Sequence, residues 1–144
     1  MITLLCAALG TLGFGLIFNA NKNKLAYIML GGFINYLSYI VTLNLTDNVF
    51  LASASCAIVT SLYSQISAVI LKCPSTIFIL TGLIPIVPGS SLFYTMQNLV
   101  LGNSKQALNN GIITIEIILG IVSGMLFSSV LSTMINIKLK KKSN

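Results

Sequence analysis

Five apolar runs, at about residues 2–19, 25–45, 49–71, 76–101 and 112–137, divide the chain into segments close to the ~20 residues that a membrane-spanning helix needs. Composition agrees with this pattern: 56% of the 144 residues are hydrophobic and 7% are charged, too little polar surface to cover a soluble fold of this size. The expected fold is therefore all-α. It is a polytopic integral membrane protein with about five transmembrane helices in a single domain over residues 1–144, ending in a basic tail at 138–144. The first run has no basic residue before it and ends Phe18-Asn19-Ala20, without the small-residue pair of a cleavage site, so it reads as a retained helix.

Charge distribution tests the number of crossings. Every basic residue is a lysine, and Asp47 and Glu116 are the only acids. With five crossings, Lys22, Lys24, Lys72, Lys138, Lys140, Lys141 and Lys142 fall on one side, and Lys105 and Asp47 on the other. Short lysine-rich loops stay cytoplasmic, which puts the N-terminus outside and the C-terminus inside at the cytoplasmic membrane. The alternative is a four-helix protein in which residues 76–101 re-enter without crossing, and it moves the tail to the other side. The lysines sit at helix ends and in a short tail without interleaved aromatics, so no nucleic-acid surface is expected.

Catalytic chemistry finds little support. The chain has no histidine, which removes Ser-His and Cys-His pairs and the commonest proton shuttle. Cys6, Cys56 and Cys73 lack metal-ligand spacing and read as packing residues. Neither an enzyme nor a metal or other cofactor is expected.

The fourth run carries the most informative local feature, Pro85-Ile86-Val87-Pro88-Gly89-Ser90-Ser91. Each proline removes a backbone donor and clashes with the preceding turn, so the helix is expected to break near 85–89. Irregular backbone at bilayer depth survives only where protein buries it or it lines a wet cavity. Half-helices over 76–84 and 90–101 measure ~13 Å and ~18 Å at 1.5 Å per residue, which puts the break near the middle of a ~30 Å hydrocarbon core. Ser90 and Ser91 read as N-caps, and the second half-helix offers unsatisfied N–H groups to an anion such as a substrate carboxylate. Ser90, Tyr94, Gln97 and Asn98 then form one polar stripe, which either lines a pathway or hydrogen-bonds between helices.

Other runs carry stripes of small and polar residues. Glu116, Gly120, Gly124, Ser128 and Ser132 recur at steps of four, a face that packs inward and carries the only acid within a run. Glu116 is thus a candidate proton-coupling residue. Alternatively, about a turn and a half from a helix start at Gly111, it snorkels to water. Asn35, Tyr39 and Gln65 lie on the stripes of the second and third runs, and as amides and a phenol in lipid they must find partners, which makes them candidate polar lining.

Two segments carry a family resemblance: Gly13-Phe14-Gly15-Leu16-Ile17-Phe18-Asn19, and Gly82-Leu83-Ile84-Pro85-Ile86-Val87-Pro88-Gly89-Ser90-Ser91-Leu92-Phe93-Tyr94-Thr95-Met96. Together they resemble the threonine/serine exporter (ThrE) family, and specifically its smaller, C-terminal half, in members where the two halves are separate proteins. The resemblance spans essentially the whole chain. It implies proton-driven export of small hydroxy amino acids, or of dicarboxylates in some members, together with a large-half partner subunit. Pro85, Pro88, Gly89 and Tyr94 are the positions it carries over, as the frame of the broken helix. Family members often have a proline shortly after the first-helix asparagine, where this chain has Ala20-Asn21, and no family acid is expected at Glu116.

The sequence thus reads as one half of a secondary exporter, with its substrate site near Pro85–Ser91. An odd number of helices cannot contain its own inverted repeat, so a second copy or a larger partner is needed to enclose an alternating-access cavity. The competing readings are a non-transporting scaffold subunit and, more distantly, a small channel.

Overall fold

The computed structural model describes the backbone of residues 2–142 and the side chains of residues 2–134. Met1, Ser143, Asn144 and the side chains of the tail lysines lie outside the described residues. The described chain is helical: α1 (Ile2–Ile17), α2 (Lys22–Thr46), α3 (Val49–Leu71), α4 (Thr76–Leu83), a 3-10 turn (Ile84–Ile86), α5 (Gly89–Val100) and α6 (Ser104–Lys142).

The helix ends have local causes. Asn19, Asp47 and Lys72 adopt left-handed backbone with φ of 53°, 49° and 47°. In each case the turned-back amides close on carbonyls of the last helical turn, as in Asp47 N–H to Leu43 O at 2.8 Å. The tight turn between α2 and α3 leads straight into Asn48, whose side-chain oxygen accepts from the Leu51 amide at 3.1 Å and caps α3. Pro74, just past the end of α3, prevents continuation of that helix.

Three helices are long and apolar enough to cross a bilayer: α2, α3 and the Ser104–Met134 part of α6. A fourth span results if α4 with its 3-10 turn and α5, bent by 47° relative to each other, are counted as one. At 16 residues, α1 is apolar but measures only ~24 Å. Three boundaries differ from the sequence reading by three residues or more: α2 begins at Lys22 rather than near 25, α6 begins at Ser104 rather than near 112, and α6 runs on to Lys142 rather than ending near 137, so that most of the expected tail is helical backbone. The polar stretch Ser104–Gly111 hides the start of α6 from any hydropathy argument, yet its residues support a helix and Ala107 is buried within it. Glu116 accordingly sits ~18 Å along α6 from its first residue, and not about a turn and a half from a helix start.

Small residues determine which faces meet. A Cβ on Gly32 would collide with the Thr11 side chain, so α1 and α2 approach closely there. One on Gly31 would lie 2.7 Å from the Tyr63 ring, between α2 and α3. On α6, Gly120 rests against Ser53 and the Phe50 carbonyl, and Gly124 against the Ala54 carbonyl and Ala57. Contacts of this kind substitute dispersion and close backbone approach for the hydrophobic drive that is absent between helices in lipid.

The same contacts give helix directions. Gly31 beside Tyr63 and Thr42 beside Ser55 run in opposite order, so α2 and α3 are antiparallel. Gly120 beside Ser53 and Gly124 beside Ala57 ascend together, so α3 and α6 are parallel. The segment between them, residues 76–100, therefore returns from the end of α3 toward its start. Lys22, Lys24 and Lys72 all lie at one end of this bundle, the end toward which α6 runs.

Candidate functional site

The Pro85–Ser91 segment has the following geometry. Helix α4 stops at Leu83, and the 3-10 turn closes with Val87 N–H to Ile84 O at 3.2 Å. The Gly89 amide then turns back on Val87 O at 2.7 Å. Pro85 and Pro88 have no amide hydrogen to donate, so the regular ladder cannot run through this stretch. Pro88, not a serine, is the N-cap residue of α5, and it makes no side-chain cap. Ser90 and Ser91 lie inside the first turn instead, which corrects their reading as N-caps. Ser91 Oγ donates back to Pro88 O at 3.2 Å, and Thr114 Oγ1 of α6 lies 3.0 Å from it. Among the described residues, the Ser90 and Ser91 amides meet no backbone acceptor and no capping side chain. They are donors open at the start of a twelve-residue helix.

Below the break lies a polar knot. Asn35, 0% exposed, donates from its amide nitrogen to the Gly82 carbonyl in the last turn of α4, and its amide oxygen accepts from the Cys56 thiol. Carbonyls in the last turn of a helix lack partners of their own, and here a side chain from α2 supplies one. Asn35 thereby ties α2, α3 and α4 together. Tyr39 stacks on Tyr36 with ring centroids 6.1 Å apart, and both pack against the cluster of Cys56, Ile86 and Ile117 that holds the 3-10 turn.

The other candidates are spread more widely. Pro85 and Pro88 are half-buried, and Gly89 is exposed with nothing within 4 Å of where a Cβ would stand. On α5, no residue is buried in the single chain, and Ser90, Tyr94 and Gln97 are exposed. Tyr94 meets Phe93 edge to face at 5.6 Å, and the Asn98 amide donates to the Tyr94 carbonyl at 2.8 Å. Glu116 is half-buried, two residues along α6 from Thr114 and so close to the level at which α5 begins. Gln65 stands apart, lining a cleft between α3, α4 and α6.

Break and knot thus meet through the cluster of Cys56, Ile86 and Ile117, Glu116 is the residue before Ile117 on α6, and Gln65 does not join them. Two participants were not singled out from sequence. Thr114 carries a weak signal, a hydroxyl near the start of an apolar run that holds several others. Cys56 as the thiol partner of Asn35 carries none, because the pairing exists only once two helices are docked.

A bundle of apolar helices with one segment bent at Ile84–Pro88, and open amides at the start of the next helix, defines a helical membrane protein of the kind in which interrupted helices can form solute sites. The family model for the threonine/serine exporter, ThrE, matches residues 3–131, and the chain belongs to that family. No curated protein and no solved structure matches it.

Proposed function

We propose that this chain is the small subunit of a two-component secondary exporter that moves threonine, serine or a small dicarboxylate out across the cytoplasmic membrane, driven by protons. The observation that carries the reading is the open start of α5: the Ser90 and Ser91 amides and the Ser90 hydroxyl are available at the break, while no basic side chain among the described residues occupies that depth. Such a terminus favours a carboxylate through backbone donors and the helix dipole. Tyr94 and Gln97, one and two turns further along α5, extend the polar face toward which the substrate moves. Asn35 and Tyr39 support the break from below.

In this reading the chain crosses the membrane five times, α1 being a short first span and α4 with α5 one broken span. The parallel pairing of α3 with α6 supports it, since a segment that re-entered without crossing would return the chain to the wrong end of α3. The N-terminus lies outside and the C-terminus in the cytoplasm, with Lys22, Lys24 and Lys72 at the inner end. The exposed outer face of α5 is completed by a large-half partner subunit or a second copy.

Counterflow of labelled threonine, serine and succinate in proteoliposomes tests the reading, with the chain alone, paired with the large-half protein, and paired as Gly89→Leu. Because a side chain at Gly89 meets open space in the single chain, the variant is expected to fold and copurify while export is lost. Normal transport by the variant pair would sink the pathway assignment. A second reading, a scaffold that stabilises a partner containing the whole pathway, is favoured by the same unburied α5 face, and loss of assembly rather than transport in the variant would select it. Glu116 is the candidate coupling residue: Glu116→Gln is expected to leave counterflow intact and abolish accumulation driven by a pH gradient. Unchanged accumulation would assign coupling to the partner.

A further inference from the structure

Interhelical contacts also set heights along the bundle. A Cβ on Gly31 would meet Tyr63, and nine residues separate Gly31 from Lys22 as well as Tyr63 from Lys72, so the two lysines stand level at one end of α2 and α3. With that level as the cytoplasmic boundary, the 23 residues of α3 carry the chain ~34 Å outward to Val49, against a hydrocarbon core of ~30 Å. The outer boundary therefore falls in the first turns of α3, close to the turn that holds Asp47.

Helix α6 keeps a constant register with α3, Gly120 beside Ser53 and Gly124 beside Ala57, so one turn further out Glu116 stands level with Val49. The twelve residues before Glu116, ~18 Å of helix, run beyond the start of α3. Composition marks the same boundary independently. Residues 104–111 read Ser-Lys-Gln-Ala-Leu-Asn-Asn-Gly, and the apolar run begins only at Ile112. Helix α5 follows this extension in the opposite direction, with Ser91 at Thr114 and Thr95 at Gly111.

The fourth segment thus climbs unevenly. Gly82 lies against Thr60, eleven residues or ~17 Å inside Val49 and near half-depth, whereas Ser91 is already at the outer end of α3. The outer half of the core is crossed by the irregular stretch from Ile84 to Pro88, packed through Ile86 on Cys56 and Ile117, and not by the ~18 Å of α5 that the sequence leads one to expect.

Resting on the exporter reading above, we infer that the open start of α5 and Glu116 form the outer mouth of the pathway, and that the tip of the α5–α6 hairpin stands outside the bilayer. A carboxylate held at the Ser90 and Ser91 amides is then at its point of release. The knot of Asn35, Cys56 and Gly82 is the buried layer between that point and the cytoplasm. The placement accounts for the absence of buried residues on α5 and for Gln97, exposed and without a side-chain hydrogen bond among the described residues, since water serves an amide that lipid leaves unpaired. It also puts Glu116 where a proton arriving from outside reaches it without first crossing the bundle.

Two-sided thiol labelling tests this, with the variants encoded at the native locus so that any partner is present. The background is Cys6→Ser, Cys73→Ser. Ser90→Cys reports on the mouth, Asn103→Cys on the tip, Asn23→Cys on the inner end beside Lys22, and Val130→Cys on the lipid-exposed side of α6 at mid-depth. Each is treated with a charged, membrane-impermeant methanethiosulfonate in right-side-out and in inverted vesicles. Ser90→Cys and Asn103→Cys are expected to react at least about tenfold faster in right-side-out vesicles, since only a hydrated thiol ionises to the reactive thiolate. Asn23→Cys is expected to show the reverse preference, and Val130→Cys to stay unreactive in both. Faster reaction of Ser90→Cys in inverted vesicles, or equal or absent reaction in the two, would overturn the outer mouth. An unreactive Asn103→Cys would overturn the outer tip, and a reactive Val130→Cys the boundaries drawn from the register. Labelling needs no turnover, so its failure is separable from failure of the exporter reading, which counterflow measures.

Discussion

The bundle of α1 to α4 and the hairpin formed by α5 with the first turns of α6 use polar residues in opposite ways. In the bundle most are consumed internally, Gln65 excepted, whose amide has only a 3.4 Å contact to Ser61 Oγ. Asn35 is bonded on both sides of its amide, Thr11 returns its hydroxyl to its own helix at 2.8 Å, and Tyr63 donates to the Tyr27 carbonyl of α2 at 2.7 Å. In the hairpin, only Ser91 and Thr114 meet across the helix pair, and Ser90, Tyr94 and Gln97 point away from it. The bundle is a finished object. The hairpin leaves its exposed polar groups without partners among the described residues, and under the proposed function these are the groups offered to a substrate or a second subunit.

The contrast is most severely tested at Gly120. A side chain there would stand 2.6 Å from the Phe50 carbonyl as well as against Ser53, and backbone cannot yield as a flexible side chain does. Gly120→Leu is expected to cost about 3 kcal/mol or more and to remove the protein from the membrane fraction. Normal accumulation would mean that α3 and α6 are not locked together as described.

The paired substitution Tyr94→Ala, Gln97→Ala should behave in the reverse manner. Both residues are exposed in the single chain, so its thermal stability in detergent should change by less than about 0.5 kcal/mol. Export, or copurification with the partner, is expected to fall at least tenfold, on the order of 1.4 kcal/mol. If stability falls instead, the hairpin is more finished than its surface indicates. The mildest case is Ser91→Ala, which removes the hydroxyl shared with Thr114 at 3.0 Å. It should lower detergent stability by roughly 0.6 kcal/mol, the average for a hydrogen bond between membrane helices, and a larger loss would make this contact a main support of the hairpin.

The sequence made the packing face of α6 and the end of α4 legible, because spacing and residue chemistry carry that information within one segment. Gly120, Gly124 and Ser128 recur every fourth position, and all three are buried. Pro85 and Pro88 announce an interrupted ladder by their chemistry, and α4 ends just before them. The beginning of α6 was hidden because Ser104–Gly111 is helical without being apolar, and so Glu116 was misplaced relative to its helix end. The knot of Asn35, Cys56 and Gly82 was also out of reach. Its members are 21 and 47 residues apart, and nothing in any one helix says which of its polar atoms another will meet. The cleft belongs to the same category, since it exists only because α4 and α6 diverge after docking on α3.

The 47° bend between the halves of the fourth segment would make α5 a lever if the backbone at Ile84–Val87 were to rotate. Twelve residues give an arm of ~18 Å, so each ~10° of rotation at the pivot carries the Val100 end through ~3 Å. Three ångströms is the length of a hydrogen bond, enough to make or break one at the tip while the pivot hardly moves. Only Leu101, Gly102 and Asn103 separate that tip from α6, so any such stroke is passed directly to the longest helix in the protein.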